Sequence, residues 1–184
     1  MRLLRCLLTL AVPLAAACGD PFALPRPAFE NVVDSTVSLY ALSGTPPRTP
    51  SGYFMQFRET VLVQNGGTFD FAIDLDSASR PVLLPTGALK LGRSSGVQKT
   101  AQPFDSIKIA PSGGFQQDSG VVVNIGERAI VHSRDATCSF GIAAVYYGKL
   151  VILAVDTAAR RIDFRILVNT NCGYRGLEPG LPAR

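Results

Sequence analysis

The chain has 184 residues, 47% of them hydrophobic and 17% charged, with a formal charge of +4. That much apolar and so little charged content excludes a disordered chain, and the length fits one domain. The charge is too small and too evenly spread for a nucleic-acid partner, and no apolar run reaches the roughly 20 residues of a bilayer-spanning helix.

The N-terminus has three parts. Arg2 and Arg5 form a positive start. Leu3, Leu4 and the run from Cys6 to Leu14 are apolar. Ala15-Ala16-Ala17 then lead into Cys18. This is the layout of a secretory signal. Residues 1–18 resemble the signal peptide and lipobox of bacterial lipoproteins. Ala15 stands where leucine is commonest in that motif, with Leu14 one place further out. The resemblance implies cleavage before Cys18, a lipid on Cys18, and membrane attachment through it. Gly19, rather than aspartate, follows the cysteine, which favours the outer membrane of the cell envelope over the inner. The same alanines also satisfy the A-x-A rule for ordinary signal cleavage at the same bond. The two readings differ only in whether Cys18 carries lipid.

Removing residues 1–17 removes Cys6 and leaves Cys18, Cys138 and Cys172. An odd cysteine is a liability in an oxidising compartment. Lipidation of Cys18 leaves Cys138 and Cys172 as an even pair for a disulfide.

The expected organisation is a cleaved signal peptide (1–17), a lipidated cysteine and proline-rich tether (18–29), a single β domain (30–175) and a coil tail (176–184). Pro21, Pro25 and Pro27 stiffen the tether. Alternation over Thr36–Leu42 predicts a first strand. The prolines of 43–52 make that stretch a loop, and 53–57 reads as a short strand. Asn65-Gly66-Gly67, between 59–64 and 68–76, predicts a hairpin because both of its first two residues tolerate positive φ. In the second arm Phe69, Phe71, Ile73 and Leu75 share one face, while Asp70, Asp74 and Asp76 lie on the other. Two apolar runs flank Pro85-Thr86-Gly87, 92–103 reads as an exposed loop, 105–110 as a strand and 111–118 as a loop. Gly126-Glu127 predicts a second hairpin joining 121–125 to 128–133, with Val123 facing Ile130 and Val121 facing His132. A last hairpin joins 149–155 to 161–169 around Thr157-Ala158-Ala159. Its second arm puts Ile162, Phe164, Ile166 and Val168 on one side and Arg161, Asp163 and Arg165 on the other. A helical turn is allowed within 139–147.

Short strands with regular turn signals predict an all-β fold, an antiparallel β-sandwich. The runner-up is a calycin-like closed β-barrel. It is weakened because the chain has no tryptophan, and such barrels carry a Gly-x-Trp signature. The last hairpin places Cys172 across from Val145, seven residues beyond Cys138. A straight strand would hold the cysteines about 20 Å apart, whereas a disulfide needs Cα atoms about 4.4–6.8 Å apart. Either 139–144 fold back, with Gly141 the natural place, or the bridge does not form.

Several groups invite a chemical reading. Gly92-Arg93-Ser94-Ser95-Gly96 matches the G-x-S-x-G nucleophile elbow, and Asp105 or Asp118 and then His132 follow in order. The helix that the elbow needs is missing from 97–103. His132 is the single histidine, which excludes a multi-histidine metal site, and it reads as a rim residue capping a sheet edge. Asp74-Leu75-Asp76 begins like a calcium loop, but Ser79 stands where the turn glycine belongs. Those carboxylates, like Arg161, Asp163 and Arg165, read as solvated strand faces. The polar cluster 169–176 reads as a loop pinned by the disulfide, with a recognition loop as the alternative. The resulting expectation is a lipid-anchored, non-catalytic interaction or binding module whose partners are the membrane and an envelope protein. It has no assigned catalytic, metal or cofactor residue. The alternatives are a small envelope hydrolase using Ser94 and His132, and a barrel carrying a hydrophobic ligand.

Overall fold

A computed structural model describes residues 26–138 and 143–182. The expected signal, Cys18 and most of the tether lie outside them, as does Gly141. In chain order the strands are β1 (Val32–Tyr40), β2 (Gly52–Phe54), β3 (Glu59–Val61), β4 (Phe71–Leu75), β5 (Pro81–Pro85), β6 (Gly96–Thr100), β7 (Val121–Val122), β8 (Arg128–His132), β9 (Ala136–Thr137), β10 (Ala143–Ala144), β11 (Tyr147–Asp156) and β12 (Arg161–Asn169). Among the described residues there is no α-helix, and no helix is long and apolar enough to cross a membrane.

The strands form two five-stranded antiparallel sheets, ordered β1-β12-β11-β8-β6 and β3-β2-β4-β5-β7, with a small β9–β10 ribbon. The fold is all-β and sandwich-like, and no closed barrel is present among the described residues. The barrel alternative is thereby corrected. Period-two patterning explains the core. Ile162, Phe164, Ile166 and Val168 project from β12 into the space between the sheets and meet Tyr53, Phe71 and Ile73. The rings of Tyr53 and Phe164 are 6.0 Å apart and edge-on, and that of Phe71 lies 5.5 Å from Tyr53, within the range where aromatic pairs add to burial.

The first sheet is covered on its other face too. Leu167 and Ile130 point away from the sandwich and are buried under Phe104, Ile107 and Leu177. The coil of 103–110 and the tail beyond 176 supply this second layer. They are stitched by pairing of Ile109 with Gly176 and of Asn31 with Gly180. The tail is coil, but Leu177 is fully buried.

Four local expectations are overturned. Asn65-Gly66-Gly67 does not join two paired strands. The hairpin lies earlier, across Met55–Arg58, so β3 pairs with β2, and β2 separates β3 from β4. Residues 63–65 form a 3-10 turn closed by Gly66 at φ 77°. Gly126 likewise sits in a crossing between sheets. β7 joins β5 while β8 joins β11 and β6, so Val123 and Ile130 belong to different cores. Residues 96–100 form the edge strand β6, hidden in the sequence because Val97 is its one large apolar residue. The stretch expected as a strand over 105–110 begins with the 3-10 turn Phe104–Ser106. The last hairpin agrees with expectation, its turn following Asp156. The described part of 139–147 is extended, with no helical turn.

The cysteine geometry follows from a reversal. Thr137 pairs with Ala143, so the chain doubles back between β9 and β10. Gly173 N–H donates to Val145 O at 3.2 Å. Cys138 and Cys172 are disulfide-bonded with Cα atoms 5.9 Å apart, inside the normal range. Cross-linking residues separated by 34 positions stabilises by about 3–4 kcal/mol in the chain-entropy account. Two outcomes are expected for denatured, unreduced protein and for a C138S/C172S variant. The former shows no titratable thiol from either cysteine until reductant is added. The latter loses about 3–4 kcal/mol in urea unfolding.

Candidate functional site

The polar cluster 169–176 is a structural knot. Asn171 is buried, and its Oδ1 accepts from the backbone of Ala28 at 2.8 Å and Phe29 at 3.0 Å. Its Nδ2 donates to Phe29 O at 2.7 Å and to Asn169 Oδ1 at 2.9 Å. The primary amide thus mimics a peptide group and completes the edge of an irregular segment. Asn169 Nδ2 donates to Gly176 O at 2.8 Å, and Asn31 Nδ2 to Gly176 O at 3.0 Å and Glu178 O at 2.8 Å. The end of the tether is therefore fastened beside the disulfide. A cleft of about 270 Å³ lies there, lined by Arg26, Phe29, Tyr146 and the disulfide.

His132 ends β8 and is 9% exposed. It lines a separate cleft of about 320 Å³ with Phe115, Gln117, Tyr147 and the Gly113-Gly114 turn. Nδ1 lies 2.9 Å from Ser133 O, so Nδ1 carries the proton and donates. Nε2 is then the acceptor for the Gln117 amide at 3.4 Å. Phe115 stands edge-on to the ring at 4.7 Å. Gly96, directly opposite on β6, has no room for a side chain, since a Cβ would lie 2.4 Å from Nε2. The imidazole is a packed element of the sheet edge.

Ser94 and His132 are not in hydrogen-bond contact. Ser94 Oγ lies 3.3 Å from Thr86 Oγ1, and buried Ser95 donates to that same oxygen at 3.2 Å. Thr86 in turn donates to Gly92 O at 2.7 Å. The serines close the loop before β6. Asp118 pairs with Arg93, and Asp105 with Arg165 at 3.4 Å; neither carboxylate hydrogen-bonds the histidine.

The three carboxylates on and beside β4 have separate roles. Asp70 is 2% exposed, which overturns the expectation of a solvated position. It accepts from Met55 N at 2.7 Å and Arg134 N at 2.9 Å. Burial pushes its carboxyl above the usual range, against those bonds and the Arg134 charge. Asp74 binds Ser43 and Arg160. Asp76 caps the following turn through Ala78 N and Arg80 N, both at 2.9 Å. Among the described residues no group of His, Cys, Asp or Glu is arranged to hold a metal ion. On β12, Arg161 pairs with Asp163 at 3.1 Å, half-buried at the surface.

Sequence reasoning missed Lys149. It is 1% exposed, and its Nζ donates to Phe104 O at 2.8 Å and Ile107 O at 2.9 Å, with the Phe104 ring 4.7 Å away. Burial pushes its amine down. Its position on the outward face of β11 gave no sign that coil would cover it. The asparagine network and the Asp70–Arg134 contact were missed for the same reason, since both join distant segments. Comparison with protein-family models, curated proteins and solved structures gives no match.

Burial lowers the pKa of His132 from its ordinary 6.5, outweighing its bond to Ser133 and the charges of Asp135 and Asp70. A base with a depressed folded pKa binds fewer protons folded than unfolded, so stability is lost as pH falls through 6.5 toward the folded value. Urea unfolding between pH 7 and 5 should show that loss, and His132→Gln should remove it. The single histidine's Hε1 resonance should titrate below 6.5.

Proposed function

We propose that this protein is an envelope lipoprotein, cleaved before Cys18 and anchored through a lipid on that cysteine, whose β domain is a non-catalytic interaction or binding module. The supporting observation is the fastening of Ala28 and Phe29 by Asn171 beside the disulfide. Nine residues, ten chain steps, lie between Cys18 and Ala28. At about 3.1 Å each for a proline-rich segment, they span on the order of 30 Å. A domain fixed at that end of the tether is held close to the membrane surface. The Cys138–Cys172 bridge suits an oxidising compartment. The non-catalytic reading draws support from Ser94 and His132, whose polar atoms serve loop closure and sheet packing. Gly19 favours the outer membrane.

Intact mass of the protein recovered from membranes tests this reading. The expected mass is that of residues 18–184 plus acyl groups, and Cys18→Ser should move the protein to the soluble fraction. Retention of Met1, or cleavage with no added acyl mass, overturns the anchor.

A further inference from the structure

The strand registers give the two sheets a common end. In the first sheet β1 starts there, and β8 and β12 finish there, at His132 and Asn169. In the second, β2 and β5 finish there, at Phe54 and Pro85. The Asp34–Arg58 ion pair and the bond from Thr86 N–H to Ser95 Oγ at 2.9 Å tie the sheets together at this end. Ala28 and Phe29 are fastened at it too, because Asn171 lies two residues beyond the end of β12.

Among the described residues eight large apolar side chains are exposed, and they are unevenly placed. Phe29, Val32, Phe57 and Leu91 belong to this end, Phe57 in the turn from β2 to β3 and Leu91 in the turn after β5. Ile109 and Leu181 lie along the coil layer, beside the pairings with Gly176 and of Gly180 with Asn31. Ile125 and Leu153 lie toward the opposite end, next to the bond from Gly126 N–H to Ile152 O. Both exposed phenylalanines, 62% and 65% exposed, therefore stand where the tether is fastened. Both are held in place. Phe29 donates its N–H to Asn171, while Phe57 packs edge-on against Phe54 at 5.4 Å and precedes the anchored Arg58.

Two further observations say what covers them. Acidic groups at this end face cations, Asp34 with Arg58, Asp70 with Arg134 and Asp118 with Arg93. Those pairs leave no strong field of one sign to steer a charged partner, whereas exposed phenylalanine and leucine suit the boundary between lipid headgroups and acyl chains. The tether supplies the second. The nine residues of β1 span about 30 Å, and the fully extended tether also reaches on the order of 30 Å. With the opposite end toward the membrane, the tether has to run the length of the domain. With this end toward it, the tether is slack.

We propose that this end of the sandwich docks on the lipid surface, with Phe29, Phe57 and Leu91 entering the interface. The proposal rests on the lipid-anchored reading and adds which part of the domain touches the bilayer.

The chain has no tryptophan, so one introduced tryptophan reports its own depth. Phe57→Trp and, at the other end, Ile125→Trp replace side chains that are similarly exposed. Leu91→Trp is the second probe at the docking end if F57W does not fold. Each full processed protein is combined with phosphatidylcholine vesicles, with and without bromine on the acyl chains, and weighed intact. The F57W emission should shift to the blue and be quenched by the brominated lipid, and the I125W emission should do neither. Unquenched F57W emission, or equal quenching of the two, overturns the proposal. The mass reads the anchor separately. Acylated protein with unquenched F57W emission overturns the docking alone. Quenched F57W emission in protein without acyl groups overturns the anchor and leaves the docking standing.

Discussion

The side chain of Asn171 joins the segment before β1 to the loop that follows β12. Its oxygen takes two backbone N–H groups of residues 28–29, and its nitrogen donates both protons, so the buried amide is fully used. Asn169 and Asn31 extend the network to Gly176 and Glu178. Losing the Asn171 side chain would leave the backbone groups of residues 28–29 without this protein partner. The disulfide holds the loop that carries Asn171 against β9. Together they set where the segment before β1 meets the domain.

The same economy appears in the layer outside the first sheet. A sheet with one face in water needs no cover, but here Leu167 and Ile130 demand one. The cover is coil, whose backbone carbonyls need partners. Lys149 provides two of those partners at once by reaching up from β11 to Phe104 O and Ile107 O. The amine loses water, and its pKa falls, but the bonds and the Phe104 ring offset that loss. Asp70 is held in a comparable way at the other sheet, accepting from Met55 N and Arg134 N with the Arg134 guanidinium as its ion-pair partner.

Much of the fold was legible. The alternation over 161–169 predicted both the hairpin and which residues meet the second sheet, and the pairing of Cys172 near Val145 followed from it. The demand for a reversal between Cys138 and Val145 was a geometric consequence, and β9–β10 supply it. What failed were inferences from turn chemistry to pairing. Gly66 and Gly126 do turn the chain with positive φ. A turn fixes a change of direction, and in a sandwich the next strand is free to join either sheet. β6 was illegible because an edge strand needs few large apolar residues. The site residues were illegible for a different reason. Asp70 and Arg134, or Phe29 and Asn171, are far apart in sequence and become partners only once the fold is assembled.

If Asn171 fixes the end of the tether, the amides of Ala28 and Phe29 are protected although they lie before the first strand. Native-state hydrogen exchange of the full, oxidised protein measures this directly. The predicted result is slow exchange at both amides, opening together with residues 171–177 and accelerated in Asn171→Ala. Exchange at the rate of an unprotected coil in the unaltered protein would contradict the account.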